Sequence, residues 1–278
     1  MTENELMHIA EQFSLQGTIK DIKPIGNGLI NETLRVTTAE DHCPDYILQR
    51  INHAVFTDVD LLQRNIELVT NHIRTKLQAC QEQDIDRKCL RFISTANGQT
   101  YYHDAQNGFW RMSLFIPNAI TKEEVNHDSA FCCGQTFGNF EQMLVDLQEP
   151  LGETIPNFHN MELRLMQLRE AVEADKVARV STVSDMLNAL SQDANDMCLA
   201  EQLYRQGALP KRICHCDTKV NNMMFDENDK VLCVIDLDTV MPSFVFSDYG
   251  DFLRTGANFV AEDSDQYELS LIHISEPT

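Results

Sequence analysis

His215-Cys-Asp217-Thr-Lys219-Val-Asn-Asn222, followed after an apolar run by Asp236-Leu-Asp238, is the stretch on which the reading of this sequence turns. It sets a carboxylate at Asp217, an amide five residues on at Asn222, and another acid, Asp236, at the end of Val231-Leu-Cys-Val-Ile235. Asp217 is a group that can orient and deprotonate an attacking hydroxyl. Asn222 and Asp236 offer the hard oxygen ligands that Mg²⁺ takes, and Lys219 offers a cation for a transferring phosphoryl group. Asp238 is a further acid available to the same metal. Order and spacing together predict phosphoryl transfer.

Each of these residues also has a blander use. Asp217 and Asn222 are types that cap loops by bonding nearby backbone, Asp236 stands where a turn residue would, and Lys219 suits a solvated surface. His215 reads as a structural hydrogen-bonding residue rather than an acid or base. Cys214-His215-Cys216 offers zinc ligands, but side chains alternate along an extended segment and no second ligand cluster completes the set. The coincidence of Asp217, Asn222 and Asp236 in one order favours the chemical reading.

The composition sets limits. With 278 residues, 43% of them hydrophobic, the chain can bury a sizeable core. A formal charge of −21 argues against a nucleic-acid backbone or an anionic membrane as partner, since both need clustered Lys and Arg. It does not exclude ATP, whose phosphates are screened locally by Mg²⁺ and a few donors. The start is acidic, without a signal-like apolar region, and no stretch has the length and apolarity of a membrane span. Nine cysteines without regular spacing predict reduced thiols and a cytoplasmic protein.

Outward from the motif, the pattern predicts an α+β chain of two lobes. Residues 18–51 alternate around the turn Pro24-Ile-Gly-Asn-Gly28 and read as three strands, the third at Tyr46–Arg50. Leu62, Ile66, Val69, Ile73 and Leu77 recur at helical spacing. Leu90–Ser94, Thr100–His103 and Phe109–Ile116, separated by Asn97-Gly98 and Asn107-Gly108, read as hairpin strands. Residues 1–117 are thus expected to form an antiparallel sheet carrying one helix. Residues 118–268 are expected to be mostly helical. They open with a Thr121/Glu124 capping box and an Ala130, Gly134, Phe137, Leu144, Leu147 stripe, with Phe140 and Met143 as core packing. Further helices are expected from about Met161 to Leu190 and from Asn195 to Gln206, then a hairpin around Asp226–Lys230.

With these residues in place, the chain resembles the aminoglycoside phosphotransferase and choline kinase superfamily. That superfamily is marked by His-Gly-Asp, four residues, Asn, and then Ile-Asp-(Trp/Leu)-(Glu/Asp); Cys216 stands here for the usual Gly or Asn. The resemblance implies a protein-kinase-like two-lobed fold with residues 1–117 holding the nucleotide. Within the superfamily the chain is similar to bacterial N-acetylhexosamine 1-kinases in Gly26–Asn31, Ile47–Asn52, Ile155–His159, Asp217–Asn222 and Val234–Pro242. This implies a small-molecule sugar substrate, phosphorylated by ATP and Mg²⁺ on its anomeric hydroxyl. By the same resemblance Gly26, Asn27 and Gly28 would close over the phosphates. Arg50, with Gln49 as the neighbouring alternative, would reach the α/β-phosphates and pair with Glu67. Phe115 and Ile116 would begin the hinge that meets adenine, and Lys219 would touch the γ-phosphate. Choline, homoserine or an aminoglycoside are alternative acceptors, and a pseudokinase scaffold is an alternative class.

Leu269-Ser-Leu-Ile-His-Ile-Ser-Glu-Pro-Thr278 reads as the translation of a transposase adapter used in sequencing libraries. The expectation is that the natural protein continues differently beyond about Glu268 and that these ten residues belong outside any fold argument.

Overall fold

The structure, a computed structural model, describes residues 1–26, 30–122 and 127–256, the side chains of 127 and 128 excepted. Thr2 and Glu5 form a capping box, each side chain accepting from the other's backbone N–H, and start α1 (Glu3–Ala10). This helix was not expected from sequence, although its Thr-x-x-Glu signature is there to be read. β1 (Ile19–Pro24), β2 (Glu32–Thr38) and β3 (Tyr46–Ile51) follow as an antiparallel meander, as predicted. α2 (Val59–Ala79) is the helix of the Leu62–Leu77 stripe, and the Asp58 carboxylate caps it by accepting from the Leu61 N–H. Short α3 (Ile85–Lys88), β4 (Phe92–Ile93) and β5 (Tyr102–His103) lead to β6 (Phe109–Leu114).

β6 pairs with β3 along its whole length and with both β4 and β5 on its other edge, giving the order β1-β2-β3-β6-β4. Asn97-Gly98 turns the chain without closing a ladder between β4 and β5; both short strands pair with β6 instead. Alternation along the strands divides their side chains between two cores. Leu34, Val36, Tyr46, Leu48, Trp110 and Met112 pack with Ile9, Ala10 and Phe13 at the α1 end of the chain. Ile51 packs instead with Val59, Leu62 and Ile66 of α2.

That second core continues into the rest of the molecule. α4 (His127–Leu144) lays Cys133, Phe137, Phe140 and Leu144 against the α2 stripe. Gly134, expected on that stripe, is exposed, and Cys133 takes the inward position. Glu124 of the expected capping box lies outside the described residues. The single helix expected over Met161–Leu190 is broken. α5 (Met161–Ala174) stops at Asp175, which has φ +32° and whose carboxylate accepts from the N–H groups of Arg179 and Val180. Those local bonds compete with helical ones. A 3₁₀ turn then precedes α6 (Ser184–Met197), and α7 (Leu199–Arg205) follows across Cys198.

β7 (Arg212–Cys214) opens the motif region. β8 (Met223–Phe225) and β9 (Val231–Val234) form the predicted hairpin, its turn held by the Asp226 carboxylate accepting from Asn228 and Lys230 N–H. β10 (Met241–Ser243) pairs with β7, a ladder that sequence did not suggest, and α8 (Val245–Gly256) closes the described chain. The architecture is α+β, with an antiparallel sheet in the first half and a mostly helical second half. Among the described residues no helix is long and apolar enough to cross a membrane.

Leu48→Ala removes a fully buried side chain from the α1-side core and is expected to cost about 2–5 kcal/mol. Trp110 is the single tryptophan, is fully buried in the same core, and donates from Nε1 to Asp104 Oδ2 at 2.7 Å. Denaturant unfolding followed by its fluorescence should show the lower midpoint.

Candidate active site

The motif loop is held from behind. Asp248 on α8 is buried, and its Oδ2 accepts from the His215 N–H at 2.7 Å while Oδ1 accepts from the Cys216 N–H at 2.9 Å. Thr218 is tied to the same helix, donating from Oγ1 to the Asp248 carbonyl at 2.5 Å and from its N–H to Asp251 Oδ2 at 2.8 Å. Between these anchors Cys216 has φ +64°, the left-handed region where Gly or Asn is at ease and another L-residue costs about 1–2 kcal/mol. Cys216 is 2% exposed and packs with Cys214 and Met241. The backbone shape that a Gly would allow is thus kept by anchoring and packing.

His215 is fully buried, edge-on to Phe137 and Phe140. Its Nε2 lies 2.9 Å from the Ile235 carbonyl, which fixes the proton on that nitrogen, and its own carbonyl accepts from Thr239 Oγ1 at 2.8 Å. Its ring is committed to joining the loop to the end of β9. Burial pushes the Cys214 and Cys216 thiols far up, so they keep their protons and serve as small packing groups.

Asp217, Lys219 and Asn222 come together. The Asn222 Nδ2 donates to the Asp217 carbonyl at 2.8 Å and to its Oδ2 at 3.1 Å, and Lys219 Nζ stands 3.1 Å from Asp217 Oδ1. Both amide hydrogens of the buried Asn222 are used toward Asp217, which leaves its side-chain oxygen as the outward acceptor. The Asn222 carbonyl accepts from the Ile235 N–H at 2.9 Å, a backbone bond that brings the next residue, Asp236, beside the pair. Asp236 itself has φ +56° and ψ +62°, again left-handed for a non-glycine residue. Crowding by protein, then the nearby Asp238 charge, push its carboxyl up to about 6, although the residue keeps an exposed face. A remaining amide acceptor and a carboxylate with no hydrogen-bond donor among the described residues fit a hard divalent cation.

Asp238, assigned to the metal by sequence, is placed otherwise. It is 2% exposed, ion-paired through Oδ1 with the equally buried Arg111 of β6, and accepts at Oδ2 from Asn31 Nδ2 at 2.6 Å. Both of its oxygens are committed inside the protein. Arg111 in turn donates from Nε to Gln49 Oε1 at 3.0 Å.

The expected nucleotide residues divide. Gly26 has φ +72°, with open space where a Cβ would be, so backbone conformation and not crowding favours glycine there. Asn27 and Gly28 lie outside the described residues. Arg50 is not brought to Asp217, Asn222 and Asp236. It alternates with Gln49, and its guanidinium lies 5.8 Å from the Trp110 ring, on the face of the α1-side core. Gln49 has the position facing Arg111, so the neighbouring alternative is the one turned toward the second half. Glu67 makes no ion pair with Arg50 among the described residues; it lines a cavity of about 250 Å³ with Arg74, Arg91 and Phe92. Phe115 lies under the Arg35 guanidinium at 4.0 Å, its N–H donating to the Asp45 carbonyl, and Ile116 is buried.

Sequence reasoning missed Asp248, Glu141, Arg111 and Asn31. The first two meet behind the motif loop. Burial, then the charge of Asp248, push the Glu141 carboxyl up to about 7, and the two side chains share a hydrogen bond. Asp248 is shifted up by burial as well, but its two backbone N–H donors favour its charged form, so the shared proton sits on Glu141. An acid on the otherwise apolar face of α4, one residue after Phe140, was the available signal.

The profile of the phosphotransferase enzyme family (APH) matches residues 21–274, and the chain belongs to that family. Among solved structures it is similar to a spectinomycin phosphotransferase in complex with ADP and spectinomycin, at 13% identity and a TM-score of 0.55, covering 89% of this chain and 72% of that one. An aminoglycoside phosphotransferase from Alicyclobacillus acidocaldarius matches at 14% identity and 0.55, covering 88% and 68%. An amicoumacin kinase in complex with AMP-PNP and Ca²⁺ matches at 12% identity and 0.58, covering 92% and 69%. At these identities the likeness shows the kinase-like fold.

The Glu141 and Asp248 pair predicts a pH dependence of stability. A carboxyl raised in the folded state binds more protons there than when unfolded, so stability falls as pH rises from the unfolded value of 4.5 through about 7. Glu141→Gln should flatten the melting temperature across that window. A parent-like slope in the variant would remove Glu141 as its source.

Proposed function

We propose that this member of the phosphotransferase family transfers the γ-phosphoryl group of ATP to the anomeric C1 hydroxyl of an N-acetylhexosamine, N-acetylglucosamine or N-acetylgalactosamine, giving the sugar 1-phosphate. The observation that carries phosphoryl transfer is the contact of Asp217 with Asn222 and Lys219, with Asp236 presented beside them. The sugar is supported by the family-like segments at Gly26–Asn31, Ile47–Asn52 and Ile155–His159.

In this reading Asp217 accepts the proton of the sugar hydroxyl as its oxygen attacks the γ-phosphorus and ADP leaves in line. Asn222 keeps the Asp217 carboxylate oriented through its Nδ2, and Lys219 places a cation where charge collects on the transferring group. The Asn222 oxygen and the Asp236 carboxylate would hold Mg²⁺, which when bound neutralises phosphate charge. Gly26 begins the hairpin over the phosphates, and Phe115 and Ile116 the hinge toward adenine. Residues 1–117 act as the nucleotide lobe and 118–268 as the lobe of the motif loop. The recess beside Cys216 has polar walls, Glu153, Asn157 and Lys211 among them, but only about 20 Å³ of room. That holds one water and no hexose, so the acceptor is not assigned to it. Nine free thiols, several buried and protonated, suit a reducing cytoplasm.

Phosphorus NMR of Mg-ATP with N-acetylglucosamine, N-acetylgalactosamine, choline and homoserine in separate tubes tests the acceptor. A sugar 1-phosphate resonance is expected; turnover only with another acceptor would keep the kinase and discard the sugar, and silence throughout would favour a scaffold. Asp217→Asn should lower turnover by about 10²–10⁴-fold with nucleotide binding kept. Asp236→Ala should weaken Mg-ATP binding itself, measured by calorimetry. Parent-like behaviour of either variant would sink the role given to that residue.

A further inference from the structure

One buried network is not used by the chemistry above. Asp238 accepts from Arg111 and from Asn31 Nδ2, and Asn31 Oδ1 accepts in turn from the Asn52 N–H at 2.9 Å. Arg111 Nε donates to Gln49 Oε1, and Gln49 Nε2 donates to Thr33 Oγ1 at 3.1 Å. The chain of bonds therefore begins at Asn52, just past β3, ends at Thr33 on β2, and passes through the turn carrying Asp236. That turn is braced from other sides too. Thr154 Oγ1 donates to the Asp238 carbonyl at 2.7 Å, and Asn65 Nδ2 to the Val240 carbonyl at 3.2 Å.

We propose that Asp238, held by Arg111, is a positioning residue that registers the start of β2, through Asn31, against the turn presenting Asp236. The proposal rests on Asp236 serving the nucleotide-bound cation. A carboxylate 2% exposed with both oxygens engaged cannot turn to a metal without stranding the buried Arg111. The planar guanidinium fixes direction as well as charge. Asn31 uses its donor toward Asp238 and its acceptor toward Asn52, so the start of β2 cannot shift there without breaking both bonds. Phosphates cradled by the hairpin and a cation held by Asp236 have to meet at one place, and small misplacements there are costly in rate.

The test is a cycle of Asn31→Ala, Asp238→Asn and the double variant, with Mg-ATP affinity measured by calorimetry and the Mg²⁺ half-saturation of turnover measured alongside. Each single change is expected to weaken both by about 10–100-fold, the size usual for residues that orient ligands, with the double variant no worse than the weaker single. Asn31→Ala leaves the ion pair intact, and an Arg111→Met/Asp238→Leu variant removes both charges together, so loss of fold is separable by thermal melting. Unchanged affinity, or strictly additive losses, would overturn the proposal. Loss in Asp238→Asn equal to that in Asp236→Ala, with Asn31→Ala unaffected, would make Asp238 a direct ligand and overturn it also. Asp236→Ala binding Mg-ATP like the parent would refute the metal role of Asp236, while the Asn31 and Asp238 cycle still decides the registration.

Discussion

The Asp248 carboxylate, accepting two successive backbone N–H groups ahead of Asp217, is the contact on which the motif loop depends. Bending the chain through a left-handed Cys216 costs on the order of 1–2 kcal/mol. Hydrogen bonds to a charged group each return roughly 1.5–3 kcal/mol, and there are two, so the anchor outweighs the strain. Asp217 emerges from this fixed turn already directed, and Asn222 and Lys219 have only to meet it. The anchor also explains how a small thiol residue occupies a place that suits glycine.

Three crowded acids show three ways of settling a charge inside an acidic protein. Asp238 is matched by Arg111 and an amide. Asp248 is matched by backbone donors and by the proton that Glu141 retains. Asp236 has neither arrangement among the described residues, and burial and the Asp238 charge push its carboxyl up to about 6. A raised acid beside an oriented amide and a lysine is what distinguishes a chemical site from a structural one.

The sequence was legible wherever one periodicity dominated. α2, the β8–β9 hairpin and the antiparallel meander follow from their patterns, and so does the grouping of Asp217, Lys219 and Asn222. Arg50 shows where such reading stops. Tyr46-Ile-Leu-Gln-Arg-Ile51 is apolar on both faces, so alternation does not say which side is which, and an error of one residue exchanges the faces. Asp238 was misplaced for another reason: its partners, Arg111 and Asn31, lie more than a hundred residues away along the chain. The break at Asp175 arose from side-chain bonds that only the folded turn displays.

The central place of β6 has a consequence for how the chain is made. Its partner β3 precedes it by the whole of α2 and two short strands, so during synthesis β1 to β3 emerge with one edge unpaired. That edge presents the outward backbone N–H and C=O groups of Tyr46–Ile51, which find their ladder partners only once Phe109–Leu114 arrives. Until then the nascent meander is a template for pairing with another chain, and the interval is set by the time taken to translate the segment between the two strands.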